Sequence, residues 1–434
     1  MPPQPRRPHP VTAPDPAPPL PLDEVDLTDL DRFTDGTTPW RMFHTLRHED
    51  PVHWQPEPAP NSGFWAVTRH EDIVRVDRDA ETFTSARFVN LEEVDDDQIA
   101  KRASMLELDG TRHRALRSLL QRQFGHTVIS GYTDFLRGLT ARTLDAALPR
   151  GEFDFVEHVS ADFPINVLAR LLDVPPEDNR KLIAWGNRLI GNTDPDYADV
   201  LLDSEDSERY RDLPFRSPAA TEVFEYGREL AGQRRGRAGT DLVSRLVNEV
   251  PRDGVPLSGQ DFDNYFLLLV VAGNETTRHA ISHSALALIE NPDQLARLRD
   301  DPALIPAAVE EFLRWASPIY HFRRTATRDT ELGGRKVKEG DKVVMWYASG
   351  NRDEGVFPDP YAFDVTRAEN DHLTFGKGSP HLCLGNLLAR TEIRIMFEEL
   401  IPRLADIRLA GPVRRVRSNF VNGIKHLPVR VATS

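Results

Sequence analysis

Cysteine occurs once in the 434 residues, at Cys383. A single thiol can neither close an intramolecular disulfide nor supply the thiolates of an iron–sulfur cluster, so the chain is not a disulfide scaffold or an iron–sulfur protein in its own right. Long apolar runs are missing too. The longest, "YFLLLVVAG" at 265–273, stops well short of the ~20 residues a membrane-spanning helix needs. The N-terminal "MPPQPRRPHPVTAPDPAPPLPL" is rich in proline and has no apolar core of signal-peptide length. Residues 1–25 therefore read as a disordered, extended tail, and the chain as cytoplasmic without a membrane anchor. Net positive charge is also absent. The formal charge of −14 disfavours general nucleic-acid binding, leaving small molecules or a locally matched protein as partners.

The composition, 39% hydrophobic and 28% charged, is that of a globular protein. Apolar spacing is chiefly helical, with strand-like pieces near both ends, which predicts a mainly α fold with small β-sheets (α+β). "GFWAVTRHEDIVRVDRD" at 63–79 begins with alternation at Phe64, Ala66 and Thr68 and passes into helical spacing through Ile73 and Val76. Strand signals return in "DTELGGRKVKEGDKVVMWYAS", where "GG" and "EGD" mark turns. No repeat or linker divides the chain after residue 25, so 26–434 reads as a single domain. The polar stretch around 186–220 interrupts the helical pattern and is expected to form a mobile lid.

After Cys383, Leu384, Leu388, Thr391 and Ile395 fall on one face of a helix predicted to run to about Leu404. At a helix start, unpaired N–H groups and the positive dipole end favour a thiolate, which predicts a lowered thiol pKa. Gly376, Gly378 and Pro380 precede the cysteine, and glycine lets backbone approach something flat and bulky. Taken alone, the pattern equally suits a buried cysteine after a turn.

"FGKGSPHLCLG" resembles the haem-ligand loop of the cytochrome P-450 superfamily, through Phe375, Gly376, Gly378, His381, Cys383 and Gly385. Ser379 and Pro380 together stand where the family has one residue. The resemblance implies haem b, with Cys383 as the axial thiolate ligand to the iron. It implies a triangular fold that sandwiches the haem between a long central helix and the cysteine loop.

A second stretch, "VAGNETTRHAISHSALALIE" at 271–290, places Gly273, Asn274, Glu275, Thr276 and Thr277 inside an apolar helix, an arrangement that costs stability unless partnered. Taken alone, a Thr hydroxyl bonded to the i−4 carbonyl and a solvated Glu would satisfy it. By resemblance to the family's A-G-x-[DE]-T pattern, Ala272 and Gly273 leave room for dioxygen. Thr276 then donates to the iron-bound peroxide, and Glu275 relays protons. "EEFLRWASP" places Glu311 and Arg314 one helical turn apart; with Arg367 they resemble the family's structural Glu-x-x-Arg network. His113, Arg117, Arg324 and His381 match the family's contacts to the haem propionates.

The implied activity is a monooxygenase using O2 and NAD(P)H indirectly, through a ferredoxin and a ferredoxin reductase. The enzyme is expected to be a monomer that docks its partner through Arg112, Arg114, Arg122 and Lys377. By resemblance the substrate pocket includes Val89, Val94, Leu268, Val271, Ile319, Phe322, Phe420 and Val421. A sterol, terpenoid or branched lipid would suit it. Alternatives are a natural-product tailoring enzyme acting on a polyketide, peptide or aromatic, a peroxide-using or non-oxygenating relative, and a haem-binding sensor.

Overall fold

The computed structural model describes residues 18–59 and 61–433. Residues 1–17 of the expected tail lie outside them. Residues 18–25 are packed rather than loose, because Arg41 and Thr45 donate to the carbonyls of Pro18 and Leu20, both at 2.6 Å, and Val25 is buried. No described helix is long and apolar enough to cross a membrane.

Helices dominate, as the apolar spacing requires. The largest core cluster joins Phe163, Leu168, Phe266, Val270, Ile281, Phe312 and Met396, from helices far apart in the chain. Two helices, Gly259–Ala272 and Glu275–Glu290, run end to end through this core. Buried Phe266, Val270, Ile281 and Leu288 explain their position, and the capping box of Ser258 and Asp261 fixes the first one's start. Helical hydrogen bonding lapses at Gly273 and Asn274, so the expected continuous helix is two, broken at the start of the Gly-Asn-Glu-Thr-Thr stretch.

Near the N-terminus, a five-stranded sheet has spatial order 52–55, 64–67, 342–345, 322–326 and 83–84. Only the Phe64–Val67 and Lys342–Met345 pair is parallel. Turns fall at Gly333 and Gly334, with φ of 53° and 75°, and at Gly340, with 88°, where only glycine is unstrained. A three-stranded sheet joins 152–154, 428–433 and 404–409. The helix after the cysteine spans Asn386–Leu400, shorter than predicted, because Pro402 cannot continue the ladder and a short 3-10 turn leads into a strand at Leu404.

Candidate active site

A cavity of about 310 Å³ lies between the central helices and the cysteine loop. Cys383, Ala272, Gly273, Glu275 and Thr276 all line it. The loop closes despite its extra residue: the Cys383 N–H donates to the Phe375 carbonyl at 2.9 Å, while the Ser379 hydroxyl accepts from His381 N–H at 3.0 Å. Gly376 and Gly378 adopt φ of 76° and 68°, and Gly378 faces the Arg78 guanidinium so closely that a Cβ would collide with it.

Cys383 lies three residues before the first helical residue, Asn386. Its thiol is exposed and opens onto the cavity. Burial pushes that thiol up, against the Gly385 N–H and the Arg117 and Arg390 charges, which favour the thiolate. The expected lowering is therefore corrected: the helix-end effect is confined to the first turn and loses to desolvation. A coordinated metal would reverse the balance, since a ligating thiol is deprotonated outright.

Charged and imidazole groups gather near the same loop. Arg117 lines the cavity and donates to the Leu382 carbonyl at 2.6 Å. Arg324 pairs with Asp77 at 3.2 Å, and Asp77 also accepts from the Lys377 N–H at 3.0 Å. His381 contacts Asp109 at 3.1 Å and packs tilted against His113, ring centroids 4.1 Å apart. Burial, then the His381 and Arg117 charges, lower His113 to about 4, and both its ring nitrogens are buried without a partner. Burial would raise Asp109, but hydrogen bonds from His381, Thr84 and the Ser85 N–H bring it down to about 2. A thiol, two cavity-lining guanidiniums and an unpartnered buried imidazole form a donor set suited to an iron cofactor with acidic side groups.

On the opposite wall, the Thr276 hydroxyl donates to the Ala272 carbonyl at 3.0 Å, the back-bonding that a helix interior invites. Glu275 is buried rather than solvated. Burial favours its neutral form, yet the Arg278 charge and His279, whose Nε2 lies 3.4 Å away, hold its carboxyl below the usual range. Asn274 donates to it at 3.2 Å, and Arg278 also donates to Asn187 at 2.7 Å. Glu392, on the cysteine-side wall, is the opposite case. It is buried with no charged partner among the described residues, so burial raises its carboxyl far above the usual range and favours the neutral form.

Val89, Leu268, Val271, Ile319, Phe322, Phe420 and Val421 all line the cavity, as does Phe375, against whose ring the Arg390 guanidinium stacks at 4.5 Å. Val94 does not. Beside it, Glu92 pairs with Arg102 and Arg216, and Glu93 with Lys342 and Ser62. Within the expected lid, Ile190, Pro214 and Phe215 reach the cavity, while Asp194 is buried and tied to Lys425 at 2.9 Å. Two docking candidates are already neutralised: Arg112 by Asp253 and Asp261 at 3.2 and 3.3 Å, and Lys377 by Asp371. Arg114 and Arg122 make no ion pair among the described residues. Sequence reasoning missed Asp77, Asp109, Arg278 and Glu392. Arg278, one turn after Glu275, carried a readable signal, whereas the two aspartates are distant in the chain from their partners.

Residues 217–405 match the family model "Cytochrome P450". The chain is 36% identical over 424 residues to a methyl-branched lipid omega-hydroxylase of Mycobacterium tuberculosis, covering 95% of this chain and 96% of that protein. It is 38% identical over 418 residues to a linalool 8-monooxygenase of Pseudomonas putida, covering 94% and 99%. It is also similar to a solved Mycobacterium marinum cytochrome P450 in complex with pseudoionone. The TM-score is 0.85 and the identity 37%, over 95% of this chain and 100% of that one.

Proposed function

Because the chain belongs to the cytochrome P450 family and is a monooxygenase of it, we propose that it hydroxylates an apolar terpenoid, sterol or branched lipid in this cavity, using external electron carriers. The observation that carries the reading is that Cys383 and the distant pair Glu275 and Thr276 line one predominantly apolar cavity. Haem b, when bound, supplies an iron that activates dioxygen.

Cys383 would ligate that iron from one side. Arg117, Arg324, His113 and His381 would hold the propionates, with His113 supplying an unpartnered nitrogen and Asp77 and Asp109 fixing the orientation of Arg324 and His381. Phe375 would pack against the bound group, and the methyl of Ala272 with the bare backbone of Gly273 would leave space for a small molecule in the cavity. The Thr276 hydroxyl can exchange the Ala272 carbonyl for a reacting oxygen and orient a proton there. Glu275, ionised and next to the cavity, would accept a proton from the solvent side and pass it on to Thr276. Val271, Leu268, Phe322 and Phe420 exclude water and orient the substrate by shape.

Electrons would come from a ferredoxin and an NAD(P)H-dependent ferredoxin reductase, with Arg114 and Arg122 left to meet an acidic partner. The relatives' substrates suggest small terpenoids and branched lipids. The test is a panel of such compounds, scored first by the spectral shift of the haem on binding and then by product formed per NAD(P)H with redox partners supplied. A compound that shifts the spectrum and is hydroxylated supports the reading. Spectral binding with no product from any binder would instead favour a sensor.

A further inference from the structure

His44 and His48 stand one turn apart on the helix Thr38–Glu49, their rings stacked with centroids 4.2 Å apart. Glu354 reaches them from the turn after the short helix Tyr347–Gly350. One ligand atom from each of the three lies within 4.8 Å of the other two. The local bonding prepares these atoms. His48 Nδ1 lies 2.9 Å from the His44 carbonyl, so it keeps its proton and leaves the Nε2 lone pair available. The Nδ1 of His44 is buried and has no partner among the described residues. Arg47 orients Glu354 through two hydrogen bonds of 3.1 and 3.0 Å, yet each carboxylate oxygen keeps a second lone pair.

We propose that His44, His48 and Glu354 bind a divalent transition-metal ion of the zinc type, clamping the N-terminal helix to the segment that follows Gly350. Two imidazoles and one carboxylate form a recognised zinc set with a fourth position for water. Calcium and magnesium, which take oxygen ligands, are poorly served by it. The Arg47 charge opposes any cation here, so binding is weaker than at a structural site with four protein ligands. The clamp has a route to the active site. Three residues before Glu354, Asn351 accepts from the Leu373 N–H at 2.6 Å and donates to the Thr374 hydroxyl at 3.1 Å, at the base of the cysteine loop. An ion at Glu354 would therefore steady that base, a role independent of which substrate the cavity takes.

The experiment is calorimetric titration of the untagged holoprotein with Zn2+, and with Mg2+ as control, followed by thermal unfolding. One Zn2+ per chain is expected, with the midpoint raised by about 2 °C or more at saturation and no response to Mg2+. His44→Ala, His48→Ala and Glu354→Gln should each weaken Zn2+ binding at least tenfold while retaining haem. His48 and Glu354 are exposed, so their variants fold even if the His44 one does not. Absence of saturable Zn2+ binding, or equal binding by wild type and His48→Ala, would overturn the proposal.

Discussion

Two Glu-x-x-Arg pairs lie on buried helix faces of this protein, and the contrast between them separates scaffold from active site. Glu311 accepts from Arg314 Nε and Nη2, both at 2.7 Å, from Arg367 at 3.1 Å, and from the Asp364 N–H and Asn370, both at 3.0 Å. Arg314 spends its other donors on the carbonyls of Asn351, Pro360 and Ala362. Neither Glu311 nor Arg314 keeps an unpartnered buried polar atom among the described residues. Glu275 and Arg278 have the same spacing and similar burial, but Arg278 Nε has no partner and Glu275 borders the cavity. A fully satisfied buried pair fixes structure, whereas an incompletely satisfied one next to a cavity is free to exchange partners and protons.

The contrast can be tested by removing the cation of each pair. Arg314→Met leaves Glu311 buried beside fewer donors, and breaking such a pair costs about 3–5 kcal/mol. Soluble, haem-loaded protein should largely disappear. Arg278→Met should still fold and bind haem, because Glu275 can take up a proton from the cavity side. Without the Arg278 charge the Glu275 carboxyl rises, so the acid limb of the turnover profile should move to higher pH. Stability follows the same sign: a depressed carboxyl stabilises above its unfolded value and loses that contribution as pH falls, so Arg278→Met should flatten the acid side of the unfolding curve. Measured haem content and pH–rate profiles for both variants check the pair. Equal loss of haem in the two would erase the distinction.

Removing the acid itself gives the next largest effect. Glu275→Gln preserves shape and binding but cannot exchange a proton, and turnover should fall by roughly 10²-fold with substrate affinity little changed. Stopped-flow rates in normal and heavy water would show it.

Thr276→Ala is smaller again. Its hydroxyl makes one hydrogen bond, to the Ala272 carbonyl, so stability should change by about 1 kcal/mol or less. Peroxide released per NAD(P)H should rise several-fold as proton placement fails. Unchanged coupling would transfer the role to Thr277, which also lines the cavity.

The sequence disclosed what is local. Cys383 and its glycines, and Glu275 with Thr276, each fall within a few residues, so their chemistry could be read from spacing. Most of what resisted reading depends on partners brought in by the fold. His381 meets Asp109 across 272 residues and Arg324 meets Asp77 across 247. Arg112 and Lys377 looked like free surface cations until packing paired them with acids. Val94 is not among the cavity-lining residues, and the acids beside it are held by Arg102 and by Arg216 and Lys342, which are distant in the chain. The cysteine's raised pKa was hidden because desolvation is a property of the packed cavity and not of a helix end.

The smallest effect concerns the 186–220 segment, where the same contrast recurs on a larger scale. Residues around Asp194 are pinned by the buried ion pair with Lys425. By comparison, 205–216 is held to its neighbours largely by exposed pairs such as Lys101–Asp212 and Arg211–Asp95, each worth little. Phe215 and Arg216 there adopt φ of 58° and 46°, a strained conformation for side chains of that size. Hydrogen exchange should be fast at 205–216 and slow at 192–196, and only the former should slow on adding a tight substrate. Uniform exchange across the segment would remove the lid.

The central claim is that Cys383 ligates haem iron across the cavity from Glu275 and Thr276. Its most direct measurement is the absorption spectrum of the reduced protein under carbon monoxide, taken for wild type and Cys383→Ala. Wild type should show the band for which the P450 family is named, and Cys383→Ala should lack it even where haem is retained. The same band in Cys383→Ala would contradict the claim.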